Sequence, residues 1–245
     1  MKPPKTKVIY EPTGPAREYT ALAVNLRIGC DHGCLYCYGP RAAHKKRDEF
    51  HANIRTRSNI LAFLERDATL LEGDRREILL SFFCDPYSLE EPTTGLTREA
   101  LKILINHRLS FTVLTKGGTR ACRDFDLLAD YPKTRFGSTI VLMDQTDADH
   151  WEPNAASIKD RIKAIRTAHK KGIRTWVSLE PVIDPAQAIE IVRELHPIVG
   201  HWKIGKLNYC KEAHDVDWRR FRTEITELLD SFGADYYLKN SLARA

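Results

Sequence analysis

The chain alternates short apolar runs with longer stretches in which apolar residues recur every three or four positions. The apolar runs predict buried strands, and residues 77–83 (Glu-Ile-Leu-Leu-Ser-Phe-Phe) are a clear example. The other spacing predicts helices, and residues 157–172 contain four apolar residues at such steps, Ile158, Ile162, Ile165 and Ala168. Ser157 and Asp184 are good N-caps for two of these helices, and Gly172 is a good C-terminal stop.

The order of these elements predicts the fold. Strands are predicted in seven segments, residues 21–28, 77–83, 109–114, 135–142, 173–179, 198–204 and 235–238. Helices between them imply right-handed βαβ units and a parallel sheet. Six such units are too few for a closed eight-stranded barrel, so we predict an α/β fold, an open partial (β/α)6 barrel with its site at the carboxyl ends of the strands. We expect residues 1–20 to be an irregular leader and 21–245 to be a single domain.

Length and composition limit the class of protein. The 245 residues are 42% hydrophobic, which is enough for one large core. No apolar run approaches the ~20 residues of a membrane span, and the N-terminus lacks an apolar signal segment, so we expect a soluble cytoplasmic protein without membrane contact. Six cysteines are too few for a disulfide scaffold in a chain of this length. The oligomeric state is not defined by these features.

The net charge of +5 is concentrated near the N-terminus. Residues 1–60 contain eleven Lys/Arg and five Asp/Glu, whereas the rest of the chain is close to neutral. The basic residues include Arg41, Lys45, Lys46, Arg47, Arg55 and Arg57. Such a patch either binds the phosphates of a nucleic acid or is a solvated surface without a partner.

Three cysteines lie in one short loop, Cys30, Cys34 and Cys37, with the spacing C-x3-C-x2-C. Three thiolates bind three irons of a [4Fe–4S] cluster and leave the fourth iron open to a small molecule, which favours an enzyme. Gly29 and Gly33 give this loop the freedom to wrap closely around a cluster.

Two other metal sites are compatible with this loop. In a zinc-binding interaction module, which normally uses four ligands, His32 or His44 would complete a Cys3His set. An iron–sulfur electron carrier or sensor normally uses four cysteines, but the remaining cysteines are scattered at Cys84, Cys122 and Cys210. We expect His32 to face solvent or to lie behind the ligands.

Polar residues follow the ends of all six predicted strands of the βα units. In chain order they are Cys30, Cys84 and Asp85, Thr115 and Lys116, Ser138 and Asp144, Glu180, and Lys206 with Asn208. Because parallel strands end at one edge of a sheet, these side chains should line one pocket. Any single one is also compatible with a role as a helix cap or turn residue.

The cysteine loop and several further segments resemble the radical S-adenosylmethionine (SAM) superfamily, in particular its spore photoproduct lyase-like branch of DNA-repair lyases. Residues 25–38 contain the Gly-Cys, His-Gly-Cys and Tyr-Cys-Tyr pattern of that branch. Similar segments are Asp85-Pro86-Tyr87 with Glu90, Thr115-Lys116 followed by Arg123-Asp124, Glu152-Pro153 leading to Arg161, and 239–242. The resemblance covers most of residues 22–242.

The resemblance implies a [4Fe–4S] cluster on the three loop cysteines, SAM at the open iron, and a one-electron donor such as flavodoxin or ferredoxin. One-electron cleavage of SAM would yield a 5′-deoxyadenosyl radical that abstracts hydrogen from a substrate. It also implies that Tyr36 lies by the adenine and that Asp85, Lys116 and Ser138 bind polar groups of SAM. The ammonium and ribose hydroxyls of SAM suit Asp85, and its carboxylate suits Lys116. Glu180 is assigned to the same pocket, on its cofactor or substrate side.

Cys84 is the candidate catalytic residue. The lyase uses a cysteine near the second strand end as a hydrogen donor, but Cys84 is offset by about two residues, and a small buried thiol is the alternative interpretation. The chain also lacks the longer N-terminal part of the lyase, which argues against the thymine-dimer reaction. We therefore predict a lyase-like radical SAM enzyme of unidentified substrate, with a nucleic acid favoured over a peptide or small molecule.

Overall fold

The computed structural model describes residues 6–208, 210 and 215–245. Two sheets are present in these residues. The strands, in chain order, are β1 (Ile9–Tyr10), β2 (Leu22–Val24), β3 (Arg27–Ile28), β4 (Arg55–Thr56), β5 (Ile78–Leu80), β6 (Phe111–Thr115), β7 (Thr134–Thr139), β8 (Thr175–Val182), β9 (Trp202–Lys206) and β10 (Tyr236–Leu238). Strands β3 and β4 form a small antiparallel ribbon, and the other eight strands form the central sheet.

The central sheet is open and almost entirely parallel. Its order is β1-β2-β5-β6-β7-β8-β9-β10, and only the pairing of β1 with β2 is antiparallel. Strands β1 and β10 are its two edges, so the sheet does not close on itself. The predicted α/β fold with an open, parallel sheet is thereby confirmed, and the six strands of the βα units correspond to β2 and β5–β9.

The helices connect successive strands. They are α1 (Gly39–Ala42), α2 (Arg47–Ala52), α3 (Ile60–Leu70), α4 (Glu91–Thr94), α5 (Leu96–Asn106), α6 (Phe125–Ala129), α7 (Gln145–Trp151), α8 (Ile158–Lys170), α9 (Pro185–Leu195), α10 (Trp218–Ser231) and α11 (Asn240–Ala243). Short 3-10 helices occur at Gly14–Glu18, Gly118–Asp124 and His196–Ile198. The helix-end signals are confirmed, because Ser157 accepts from the Asp160 amide, Asp184 accepts from the amides of Ala186 and Gln187, and Gly172 has a φ of +75°.

The two faces of the sheet have different partners. On one face, residues such as Leu80, Val113 and Phe136 pack with the helices in the main apolar core. On the other, which we call the inner face, Ala23, Leu79 and Trp176 pack with a second set of partly buried side chains, Tyr10, Tyr19, Phe82 and Leu114. Residues of the inner face therefore point into the hollow of the partial barrel.

Within the expected leader, the described residues 6–20 include strand β1 and a short 3-10 helix. The buried carboxylate of Asp67 on α3 accepts hydrogen bonds from the amides of Lys7, Val8 and Ile9 at 2.7, 2.6 and 3.0 Å. This anchor holds β1 against the sheet, where Ile9 pairs with Val24. An acceptor 58 or more residues away thus gives the segment a regular conformation that its own composition does not predict. The division at residue 20 into a leader and a single domain stays a prediction.

Residues 11–20, which we call the strap, continue from β1 to the opposite edge of the sheet. Lys203 on β9 donates to the carbonyls of Glu18 and Tyr19 at 2.8 and 2.5 Å, and Lys239 donates to that of Pro15 at 2.6 Å. The Glu18 carboxylate in turn accepts from the Tyr237 hydroxyl and the Asn240 amide. The strap therefore links both sheet edges across the open side of the barrel.

We expect Asp67→Ala to lower the free energy of unfolding by about 3 kcal/mol, because three amides would lose a charged acceptor in a buried place. Glu65→Ala on the same helix removes only an exposed contact with His107 and should cost less than ~1 kcal/mol. Urea denaturation of both variants measures the difference. If Asp67→Ala lowers the free energy of unfolding by no more than the ~1 kcal/mol expected for Glu65→Ala, the Asp67 anchor does not stabilise the fold.

Candidate active site

The cysteine loop is held from below by α2. The Arg47 guanidinium donates to the carbonyls of Gly33 at 2.8 Å and Leu35 at 3.2 Å, and also to that of Cys34. The imidazole of His51 on the same helix lies 2.7 Å from the Cys30 carbonyl through Nδ1. From the sequence, Arg47 was one residue of the basic patch. In the structure its guanidinium binds the backbone of the loop, a role that no local sequence pattern predicts.

Two glycines allow this close packing. A Cβ atom at Gly29, whose φ is +89°, would lie 2.7 Å from the Phe50 carbonyl oxygen. A Cβ atom at Gly39 would lie 2.7 Å from the Phe50 ring and 3.2 Å from the Cys37 sulfur, which accepts a hydrogen bond from the Gly39 amide. Side chains at either position would push the loop away from α2.

The loop thiols lie in a poorly solvated place. Burial raises the pKa of Cys34 to about 11. Burial, with the negative charges of Asp85 and Cys34, raises the pKa of Cys30 well above its ordinary value. Thiolates are stable in such a site when a metal supplies the compensating positive charge.

His32 is buried, with 2% of its surface exposed, which excludes the solvent-facing alternative and leaves the expected position behind the ligands. Its Nδ1 lies 3.5 Å from an Asp85 oxygen and its Nε2 lies 3.8 Å from Asp31. Burial lowers the pKa of His32, which keeps the ring neutral. The donor atoms of Cys30, Asp31 and His32 fall within 4.8 Å of one another, and among the described residues this group excludes Cys34 and Cys37. The three cysteines and a histidine therefore do not form a compact tetrahedral zinc set.

Asp85 joins the ends of two neighbouring strands. Its carboxylate accepts from the Tyr87 amide at 2.8 Å, the Thr115 hydroxyl at 2.5 Å and the Lys116 amide at 2.7 Å. Three bonds from the protein and the contact with His32 use most of the acceptor capacity of one carboxylate. The geometry thus makes Asp85 a support for Lys116, and its direct contact with SAM stays a prediction.

Lys116 extends into a buried charged network. Its Nζ lies 3.8 Å from a Glu152 oxygen and 5.4 Å from the centre of the Tyr36 ring. Glu152 also accepts from the Tyr36 hydroxyl and forms an ion pair with Arg161, which is 1% exposed. Burial acts to lower the pKa of Lys116, but the negative charges of Cys34 and Glu152 outweigh it and raise that pKa. Arg161 on α8 further donates to the carbonyls of Ala156 and Thr139 at 2.7 and 3.2 Å.

The remaining predicted site residues are less close to the loop. Ser138 is fully buried in β7, donates to the Thr115 carbonyl, and pairs with Val177 of the helix-covered core. Its neighbour Gly137 faces Trp176 on the inner face, so the position of Ser138 does not favour contact with a cofactor, and its role stays a prediction. Asp144 caps α7 by accepting from the Asp147 amide, which confirms the alternative interpretation for that residue.

Glu180 lies near the end of β8, with Oε2 at 3.4 Å from the Lys239 ammonium. That oxygen is buried and accepts no hydrogen bond from the residues that the structure describes. Glu180 is therefore suited to accept a hydrogen bond from a ligand on the β8–β9 side of the barrel.

At the end of β9 the Asn208 side-chain amide donates to the Lys206 carbonyl.

Cys84 is 7% exposed and follows β5. Burial raises the pKa of its thiol, so the sulfur keeps its proton at neutral pH. Burial also raises the pKa of Tyr10 and of Tyr38. Tyr10 belongs to the inner face, and Tyr38 is exposed beside the cysteine loop.

A protein-family model matches the part of the chain that contains this site. The model of the radical SAM superfamily matches residues 24–196, well over half of the chain and including the cysteine loop, Asp85, Lys116 and Glu152. The chain belongs to the radical SAM superfamily. Membership implies a [4Fe–4S] cluster and SAM.

Two curated relatives of this radical SAM protein carry no assigned function. An uncharacterized protein of Methanocaldococcus jannaschii is 26% identical over 207 residues, which are 83% of this chain and 76% of the relative. An uncharacterized protein of Acidianus two-tailed virus is 24% identical over 204 residues, 79% of this chain and 66% of the relative.

Solved radical SAM structures share the fold. A variant of spore photoproduct lyase has a TM-score of 0.69 at 15% identity, over 94% of this chain and 79% of that one. Another variant, with bound AdoMet and dinucleoside spore photoproduct, has a TM-score of 0.67 at 15% identity, over 96% and 87%. SuiB of Streptococcus suis bound to the precursor peptide SuiA has a TM-score of 0.67 at 14% identity, over 89% of this chain and 48% of that one. At these identities the likeness shows the fold alone.

The residues of this radical SAM protein fit the implied cofactors. The fit rests on buried thiols that need a compensating metal, on glycines that bring α2 against the loop, and on a lysine suited to an anionic group. In the described part of the chain, no helix combines the length and the apolar character that crossing a bilayer requires.

We expect Arg47→Ala to weaken retention of the cluster, because three loop carbonyls would lose their shared donor. Arg47→Lys should restore part of it, since an ammonium does not reproduce the guanidinium fork. Lys46→Ala, one residue away and exposed, is the matched control. Iron content after gel filtration and the rate of iron loss to a chelator measure the effect. The same loss rate in Arg47→Ala and Lys46→Ala would refute this role.

Proposed function

We propose that this protein is a radical SAM enzyme that modifies a nucleic acid in a lyase-like reaction in the cytoplasm. Its cluster would be held by Cys30, Cys34 and Cys37. The observation that carries the proposal is the juxtaposition of this loop, with its buried Cys34, and the Lys116–Glu152 network at the carboxyl ends of the parallel strands.

When bound, the cluster and SAM would supply one-electron reductive chemistry, with a 5′-deoxyadenosyl radical as the agent of hydrogen abstraction. The residues of the chain bind and orient. Lys116 provides the cation for the SAM carboxylate, and Glu152 and Asp85 hold that lysine by its ammonium and its backbone amide. Tyr36 is fixed by its bond to Glu152, so its ring forms a rigid wall beside the loop.

A nucleic-acid substrate is supported by the basic N-terminal quarter and by the aromatic lining of the inner face. Tyr10, Tyr19 and Phe82 are the partly buried rings on that face, and flat rings are the usual surface on which bases stack. The solved structure of spore photoproduct lyase with dinucleoside spore photoproduct agrees with this choice. A peptide substrate is the second candidate, because SuiB bound to a precursor peptide has a fold just as similar.

The reaction needs a one-electron donor, for which we propose flavodoxin or ferredoxin. Leu35 and Tyr38 flank the third cysteine and are 43% and 50% exposed. Arg41 and Lys46 are exposed close to them in the chain. An acidic protein would find both apolar contact and opposite charge there, close to the cluster ligands.

We expect the reduced cluster of the reconstituted protein to change its EPR spectrum on addition of SAM. Lys116→Ala should weaken SAM binding about tenfold, the equivalent of one charge-assisted hydrogen bond. Lys133→Ala removes an ammonium that donates to the exposed Arg108 carbonyl, and this variant should bind SAM as the unsubstituted protein does. An iron–sulfur signal that SAM leaves unchanged would favour an electron carrier, and zinc without iron would favour a binding module.

We further propose that Cys84 is the hydrogen-atom donor to the substrate radical. Its S–H bond would break as a C–H bond forms, and an external reductant would return an electron and a proton to the sulfur. Because burial keeps this thiol protonated, the S–H bond is present at neutral pH.

We expect Cys84→Ala to abolish formation of the repaired or modified product while SAM cleavage continues. Cys122→Ala, a cysteine of the 3-10 helix after β6, is the control and should retain product formation. Product and 5′-deoxyadenosine are quantified in the same samples by liquid chromatography. Full product yield from Cys84→Ala would reduce Cys84 to a buried packing residue.

A further inference from the structure

A basic cleft lies beside the cysteine loop, at the β1 edge of the sheet. It has a volume of about 380 Å³ and is lined by Lys7, Ile28, Arg55, Arg57, Ser58 and Phe63, among others. The walls come from three elements: the segment before β1, the β3–β4 ribbon and the start of α3. Ile28 precedes Cys30 by two residues, which places their Cα atoms at most about 7 Å apart.

The charge of the cleft is unbalanced. Three lining residues are cations, and none of the eight lining residues is acidic. The Lys7 ammonium lies 4.4 Å above the Phe63 ring, and Arg57 uses one nitrogen for the Asn25 carbonyl at 3.3 Å. The Asp67 carboxylate lies behind the Lys7 wall and offsets at most one of the three positive charges. A net positive potential therefore remains in the cleft.

The lining selects for a phosphate group. Two guanidinium groups and an ammonium suit an anion with several oxygens, because each guanidinium presents two parallel N–H donors. The hydroxyls of Thr56 and Ser58 add neutral donors, and the first turn of α3 has no side-chain cap on its amides. Ile28, Val8 and Phe63 give the cleft an apolar side that would take the sugar or base attached to a phosphate.

We propose that this basic cleft binds a phosphate group, and that the group is a phosphodiester of a nucleic-acid strand whose neighbouring nucleotide reaches the site over the cluster loop. The phosphate site stands without the proposed reaction, and only the choice of a strand rests on the proposed function. The basic residues near the N-terminus therefore have two different roles. Arg55 and Arg57 line the cleft, whereas Arg47 donates hydrogen bonds to the backbone of the cysteine loop.

The test is binding of a short fluorescein-labelled single-stranded oligodeoxynucleotide to the reconstituted full chain, by anisotropy at several salt concentrations. For Arg55→Gln and Lys7→Gln, we expect the slope of log affinity against log salt to fall by about 0.7 each, the value for one lost phosphate contact on a single strand. Arg55→Lys should recover part of it. Arg193→Gln, an exposed arginine on α9, is the control for general charge and should keep the full slope.

Pyrophosphate and a mononucleotide, added as competitors, separate the sources of the phosphate. Arg55-dependent binding of these small anions, with oligonucleotide binding independent of Arg55, would keep the phosphate site and overturn the strand. The phosphate site itself would be overturned if neither Arg55→Gln nor Lys7→Gln changes the salt slope of oligonucleotide binding or the affinity for pyrophosphate and the mononucleotide. Failure of the proposed function would be seen separately, as a SAM-insensitive EPR spectrum of the unsubstituted protein.

Discussion

One buried carboxylate, that of Glu152, joins the three parts of the site. It binds Tyr36 from the cysteine loop and Arg161 from α8, and it faces Lys116 at the end of β6. A carboxylate with no exposed surface would be unstable alone, and here two cations and a phenol offset its lost hydration. Because Arg161 is in turn fixed by backbone carbonyls, the direction of Lys116 depends on the packing of α8 as much as on its own strand.

Two other buried carboxylates also hold separate segments together, but they bind backbone amides in place of cations. Asp85 gathers the ends of β5 and β6 through the amides of Tyr87 and Lys116, and Asp67 gathers the N-terminal segment through three amides. Each carboxylate converts an irregular stretch into a defined one by satisfying N–H groups that no strand or helix partner reaches. The site residues are therefore held before any ligand arrives, which lowers the cost of ordering them on binding.

The features that could be predicted from the sequence depend on neighbours close in the chain. The cysteine spacing, the apolar runs of the six βα strands and the Asp184 cap are all of this kind. The sequence left two positions open for His32, because its burial depends on Asp85, far along the chain. For Ser138, the sequence did not define which face of strand β7 the side chain is on. A shift of one residue in the expected strand register moves a side chain to the opposite face. The strand β1 and the role of Arg47 depend on Asp67 and on the loop backbone, which no pattern near them reveals.

The strap has a consequence for the order of events during synthesis. Its bonds join Pro15 to Lys239 and Glu18 to Asn240, pairs separated by 224 and 222 residues. Such bonds cannot form until Lys239 and Asn240 have left the ribosome, long after the cysteine loop has emerged. The open side of the barrel is therefore bridged only after all of residues 24–196, the segment that the superfamily model matches, have been made.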